Sequence, residues 1–391
     1  MNLSKINRMY VLSFFFSLHI ALSAYVNSTF LTGIISEKYV GLLFTMASII
    51  TLVLLLKSSK ILTYFGNRRL VLWLLLINML SLVGLVTSRN PYVISASFIG
   101  FLTTNTLVFL CLDIFIEHFG NSDSIGKTRG TYLTILNLAW VISPLITSIL
   151  ITQEGGYRAI YMISFLATII MTIGMFFSVK TFSDKSYKKA PFIDTFKDLQ
   201  KNPHMKAVMM INFILQFFYV WMVIYTPIYL NKHMGLGWDQ LGLIFTVMLI
   251  PFIIFGLLVG ILIDKFKVHK RTLLYIGFAI ISLSTCAITF TTTKSIVLWA
   301  AILFLTRTGA SIIETTSEIY FFTHANEEDS HLLGFFRDMS PVAYIIAPLI
   351  GTVIFFIVPF KFLFLILSVI VLLGLYYIPK LKHNHEHIIS N

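Results

Sequence analysis

The sequence predicts an all-α membrane protein, with twelve transmembrane helices in two pseudo-symmetric six-helix bundles. Three observations carry that expectation. Of the 391 residues, 57% are hydrophobic and only 12% are charged, and the mean hydropathy is +0.86. A globule of this length cannot bury so much apolar surface. Twelve apolar runs are each long enough to cross a ~30 Å hydrocarbon core as a helix of about 20 residues. The first half of the chain also returns in the second half at a nearly constant offset.

The first run, 9–31, follows Lys5 and Arg8 and is too long for a signal-peptide core, so it reads as an uncleaved span. The runs 39–58, 70–88, 91–116, 130–152 and 157–179 complete the first set of six. Their hydrophobicity is continuous, which excludes outer-membrane strands, where apolar and polar residues alternate. The second set occupies 205–230, 240–263, 272–291, 295–322, 333–357 and 360–379. Between the sets lies a polar stretch. The chain therefore divides into a first bundle (1–180), a linker (181–204), a second bundle (205–380) and a tail (381–391). Within the linker, Phe192, Phe196 and Leu199 recur near helical spacing, which predicts a short amphipathic helix on the membrane surface over Pro191–Lys201.

The net charge of +12 raises the question of a nucleic-acid partner, and its distribution answers it. With the N-terminus inside, 22 of the 29 Lys and Arg residues fall on the inner side and 6 on the outer, leaving Arg307 within a span. That bias predicts a multi-pass protein of the cytoplasmic (inner) membrane with both termini cytoplasmic. The basic balance then reflects topology and contact with the lipid bilayer, with no nucleic acid required. Cys111 and Cys286 sit inside apolar runs, which speaks against a disulfide framework or thiolate metal site.

The repeat has an offset of 201 residues. Gly41-Leu42-Leu43-Phe44-Thr45 matches Gly242-Leu243-Ile244-Phe245-Thr246, and further on Asp113 meets Glu314 and Glu117 meets Glu318. At an offset of 204, Gly130, Ala139 and Pro144 meet Gly334, Ala343 and Pro348. Duplication of a six-span unit in parallel orientation accounts for a register held over several helices.

With this repeat, the sequence resembles the major facilitator superfamily over essentially its whole length. The family's loop signature after the second and eighth spans runs Gly-x-x-x-Asp-(Arg/Lys)-x-Gly-x-(Arg/Lys)-(Arg/Lys). The second copy here keeps Gly260, Asp264, Lys265, Lys270 and Arg271, with Lys267 in place of the second glycine. The first copy keeps Gly66, Arg68 and Arg69, while Ser59 and Thr63 replace the first glycine and the acid. A small residue permits close helix approach, a carboxylate can face a helix N-terminus, and basic residues pin the loop to the inner leaflet. Gly130, Ala139, Ser143, Pro144, Thr147 and Ser148 have the spacing of the span-five motif of drug/proton antiporters. Pro144 and its counterpart Pro348 are expected to bend their helices. The resemblance implies a secondary transporter with a substrate cavity lined by spans one, four, seven and ten.

Arg307 lies about twelve residues into span ten, near the bilayer midplane at ~1.5 Å per residue. An arginine at that depth costs ~2.5–3.5 kcal/mol on insertion scales, so it should face an aqueous cavity or a partner. Leu303-x3-Arg307 resembles the family's span-four arginine motif, which implies a role in binding or coupling. Glu314 stands two turns further on, nearly on the same face, and Glu318 one turn beyond. A carboxylate held short of the interface is costly to keep ionised, which is the property a proton-coupling site needs. Arg337 and Asp338, opening span eleven, are candidate gating partners, and Asp113 and Glu117 occupy the equivalent place in span four. Asn105, Asn27, His19, Gln216, Trp221 and Tyr225 are the uncharged candidates for lining the cavity. Amides within spans also serve as interhelical glue worth ~0.6 kcal/mol.

No phosphate-cradling loop, dinucleotide fingerprint or His-Glu-x-x-His occurs, so no cofactor, resident metal or enzymatic activity is expected. The leading functional expectation is a monomeric, proton-coupled transporter of a small-molecule substrate, with export ahead of import. Uptake of an anionic nutrient, with Arg307 as its counter-charge, is the alternative within transport. A membrane sensor that has lost transport is the alternative outside it.

Overall fold

The computed structural model describes residues 5–120, 125–152, 156–180, 182, 184, 199, 202–324 and 339–382. Every regular element among them is helical. The first half contains α1 (Lys5–Ala24), α2 (Asn27–Leu31), α3 (Glu37–Leu56), α4 (Ser58–Phe65), α5 (Asn67–Thr87), α6 (Pro91–Phe119), α7 (Ile125–Thr152) and α8 (Gly156–Ser178). The second contains α9 (Pro203–Ile228), α10 (Trp238–Asp264), α11 (Lys270–Phe290), α12 (Ile296–His324), α13 (Met339–Phe355) and α14 (Phe362–Leu372). Among the described residues, eleven helices are long and apolar enough to cross a membrane, and α13 is a shorter apolar helix. Side chains such as Leu257 and Leu283, each 73% exposed, project outward from the bundle. In water that exposure would be unfavourable; against lipid it costs nothing.

Several expectations are refined. Span one is not continuous: α1 stops at Ala24, Tyr25 and Val26 form a turn, and α2 resumes at Asn27. Span seven ends in a π turn, Tyr229–His233, and span twelve ends in two 3-10 turns. The start expected for span eleven at 333 and nearly all of the predicted amphipathic helix lie outside the described residues. The expected linker begins at 181, yet Phe182 packs its ring 4.8 Å from that of Phe115. Asp184 Oδ1 accepts the backbone N–H of Asn67 at 2.7 Å, so both belong with the first six spans.

Local chemistry explains several helix starts. Asn90 and Asn202 each accept a backbone N–H from the first turn that follows, and each precedes a proline at the first helical position. Inside α7, Pro144 cannot donate to the Trp140 carbonyl, and the Ser143 hydroxyl donates there instead at 3.1 Å. The helix continues through the proline.

Among the described residues, the two main seams between the halves are α3 against α13 and α7 against α10. Each uses the same pieces. A Cβ placed on Gly41 would lie 2.9 Å from the Pro348 carbonyl oxygen and 2.9 Å from Thr352 Oγ1. A Cβ on Gly242 would lie 2.9 Å from the Pro144 carbonyl oxygen and collide with Ser148. Gly41 and Gly242 are repeat partners, as are Pro144 and Pro348. Lys232 donates to the Thr32 carbonyl at 3.0 Å, His233 meets Glu37 at 3.2 Å, and Trp238 donates to the Tyr157 hydroxyl at 2.9 Å. Among the described residues, the hydrogen bonds and ring contacts joining the halves run from the middle of the bundle to this end. We call it the far face, opposite the linker face where α8 ends and α9 begins.

Candidate functional site

Arg307 lies at the centre, where the halves meet. It is 1% exposed. Its guanidinium carbon stands 5.4 Å from the ring centroids of Phe218 and Tyr219 on α9. Across the seam it reaches the hydroxyl of Tyr25, in the break of span one. Tyr25 in turn packs its ring, tilted, against that of Phe245 of α10 with centroids 5.1 Å apart. Rings over a cation in an apolar interior supply about 2 kcal/mol or more when desolvated. The Nε and Nη2 donors nevertheless have no acceptor. In this arrangement rings lie over the guanidinium and solvent barely reaches it.

Glu314 lies toward the linker face on the same helix and is half-buried, while Glu318 beyond it is exposed. The Tyr219 hydroxyl donates to Glu314 Oε2 at 2.9 Å. One side chain therefore touches both charges, its ring against Arg307 and its hydroxyl on the carboxylate. No carboxylate approaches the guanidinium to ion-pair distance among the described residues. Asp113 is half-buried and Glu117 exposed near the linker-face end of α6. Arg337 and Asp338 lie outside the described residues.

The other expected cavity residues do not form one surface with Arg307. His19 and Asn105 meet each other, with His19 Nε2 at 3.1 Å from Asn105 Oδ1. The Asn78 amide donates to Asn105 Oδ1 and Thr104 Oγ1, both at 2.8 Å. This is a buried polar knot tying α1, α5 and α6 inside the first half. Asn27 accepts from the Tyr161 hydroxyl at 2.8 Å, also within that half. On α9, Gln216 donates to Asn212 of its own helix at 3.5 Å, and Trp221 is fully buried with no acceptor for its indole N–H. Tyr225 donates to the Pro348 carbonyl at 3.2 Å and abuts the Gly41 seam. Interhelical hydrogen bonding explains most of these residues, because an unpaired amide in an apolar bundle is costly.

The loop signature is also only partly accounted for. A Cβ on Gly260 would meet nothing within 4 Å, so close helix approach does not explain that glycine here. Asp264 and Lys265 are exposed at the end of α10. Lys267, in place of the family's second glycine, has φ 55°, and its repeat partner Gly66 has φ 72°. The left-handed turn persists although the glycine does not. Three residues that touch Arg307 or its neighbours escaped the sequence reading: Tyr25, Tyr219 and Phe218. Aromatic residues are so abundant in these spans that periodicity alone could not single them out.

Fold and site together define a polytopic helical membrane protein with two seamed halves and a charged centre. The sequence profile of the Major Facilitator Superfamily matches residues 9–337 and 239–390. The chain belongs to that superfamily and is a membrane transporter. No curated protein matches the sequence. Among solved structures, the nucleoside transporter NupG is similar, with a TM-score of 0.74 at 11% identity, covering 97% of this chain and 100% of that one. A bacterial metal transporter is similar with a TM-score of 0.69 at 14% identity, covering 97% and 99%. At such identities these likenesses establish the shared fold.

Proposed function

We propose that the protein is a proton-coupled secondary transporter that moves a small solute across the cytoplasmic membrane by alternating access, with Glu314 as its proton carrier. The observation that carries this reading is the Tyr219 bridge between Glu314 and Arg307. Protonation of Glu314 removes a negative charge from the neighbourhood of a buried guanidinium. The balance between the arrangement closed at the far face and the one open there shifts accordingly. The distribution of Lys and Arg supports a cytoplasmic linker face. On that reading, the far-face seams close the site to the outside while Glu314 is reached from the cytoplasm.

The available energy is sufficient. One proton moving down a total proton-motive force equivalent to about 150 mV releases about 3.5 kcal/mol, enough for a solute gradient of roughly 300-fold. The test is solute flux by purified protein in liposomes, with pH and voltage gradients imposed separately. Flux should rise with an imposed proton gradient and collapse when both gradients are removed. Flux indifferent to both would refute the coupling.

A further inference from the structure

We infer that the solute is a monocarboxylate with a flat, apolar body, that the Nε–Nη2 edge of Arg307 receives its carboxylate, and that binding carries one proton onto Glu314. This rests on the transport reading above and specifies what its central site recognises.

The unused donors are the starting point. Nε–H and Nη2–H of a guanidinium are coplanar and parallel, the edge that grips the two oxygens of a carboxylate in a bidentate pair. On Arg307 both of these donors lack an acceptor, in a side chain 1% exposed. The guanidinium also reaches the Tyr25 hydroxyl, and the rings of Phe218 and Tyr219 each lie 5.4 Å from its carbon. Two unsatisfied charged donors in an apolar core are expensive, and the Glu314 carboxylate does not answer them, because it stands two turns away and accepts from Tyr219. An acceptor pair that arrives with the solute would answer them.

Charge counting fixes the rest. Arg307 is the one Lys or Arg in mid-span, so the centre can neutralise a single negative charge. With the site empty, that charge is the Glu314 carboxylate. With a carboxylate solute on Arg307, an ionised Glu314 would leave a half-buried negative charge without its compensating cation, which is costly. Neutrality returns when Glu314 takes a proton. Solute anion and proton are thus bound together, and their joint movement transfers no net charge. A dianion such as a phosphate ester would overload the single guanidinium. The surround of Tyr25, Phe218, Tyr219 and Phe245 offers ring faces and two phenolic hydroxyls, which suits a planar apolar body.

The test is titration calorimetry on the purified full-length protein in detergent, with phenylacetate and indole-3-acetate as probes. Their neutral amides and phenyl phosphate serve as comparisons. Repeating the titrations in two buffers of different ionisation enthalpy counts the protons taken up. A carboxylate should bind at least about tenfold more tightly than its amide, as expected for a charge-assisted bidentate pair. About one proton should be taken up per carboxylate bound. Arg307→Lys, which keeps the charge and loses the fork, should weaken that binding about tenfold or more while the protein remains monodisperse. Glu314→Gln should still bind the carboxylate, with no proton uptake. Equal affinity for acid and amide, tighter binding of phenyl phosphate, carboxylate binding without proton uptake, or no carboxylate binding at millimolar concentration would each overturn the inference. Proton-driven flux of an uncharged solute in liposomes would overturn it too, while leaving the transport reading intact. Flux without proton dependence would remove that reading itself.

Discussion

The hydroxyl of Tyr219 donates to Glu314 at 2.9 Å while its ring faces Arg307 at 5.4 Å. The two charges of the core communicate through one side chain and make no ion pair. Tyr219→Phe keeps the ring and removes the donor. Such a variant should retain solute binding within about threefold, since the cation–π face survives, while fewer protons move per solute. Parallel measurement of solute and proton flux in liposomes checks this. An unchanged ratio would show that the hydroxyl has no part in coupling.

Glu314→Gln should abolish proton-driven accumulation and leave solute exchange between two loaded compartments running. The neutral amide mimics one protonation state permanently, so the carrier can reorient with solute but cannot release a proton. Counterflow assays separate the two activities. Loss of counterflow together with accumulation, in a well-folded variant, would argue for a structural role instead.

The far-face seams have no room for a side chain at their glycines. Gly41→Val forces a branched side chain against Pro348 and Thr352. Overpacking of this kind costs about 1–3 kcal/mol, and here it falls on the closed arrangement alone. The variant should favour the arrangement open at the far face. Spin labels on Glu37→Cys and His233→Cys, whose side chains meet at 3.2 Å in the closed arrangement, should report a longer distance in it. An unchanged distance would mean that the seam yields elsewhere.

Lys267 and Gly66 offer a paired test at one repeat position. A lysine at φ 55° carries a left-handed penalty, so Lys267→Gly should stabilise the protein by about 0.5–1 kcal/mol. Gly66, at φ 72° and ψ 150°, lies in a region open to glycine almost exclusively. There Gly66→Ala should destabilise by about 1–3 kcal/mol. Thermal unfolding in detergent reads both, and opposite signs are the expected result.

Asn78 holds Asn105 and Thr104 together inside the first half. Asn78→Leu leaves those groups without their donor, at a cost of about 1–3 kcal/mol. Transport by the surviving folded fraction should be normal, because the knot lies apart from Arg307. Impaired transport at full stability would move this cluster into the working site.

Much of the fold was legible because lipid imposes a simple rule on sequence. Runs such as 240–263 must be apolar and long, and α10 duly spans Trp238–Asp264. The depth of Arg307 was equally legible, since its position along the apolar run places it far from either end, and it is buried. Its surroundings were not legible. Whether His19 faces a cavity or Asn105 depends on helix rotation, to which composition is blind. The turn at Tyr25 and Val26 carries no proline or glycine to announce it. Tyr219 stands in α9 among many other aromatic residues, and only tertiary contact distinguishes it.

The carboxylate of Asp184 sits where the first copy of the loop signature has lost its own acid at Thr63, holding the backbone of Asn67 and crowding Gly66. The segment leaving α8 is therefore a working strut of the first bundle before it becomes a tether to the second. Expressing the halves as separate chains should succeed when the cut falls beyond Asp184. A cut just ahead of it should yield a first half whose third span starts unanchored.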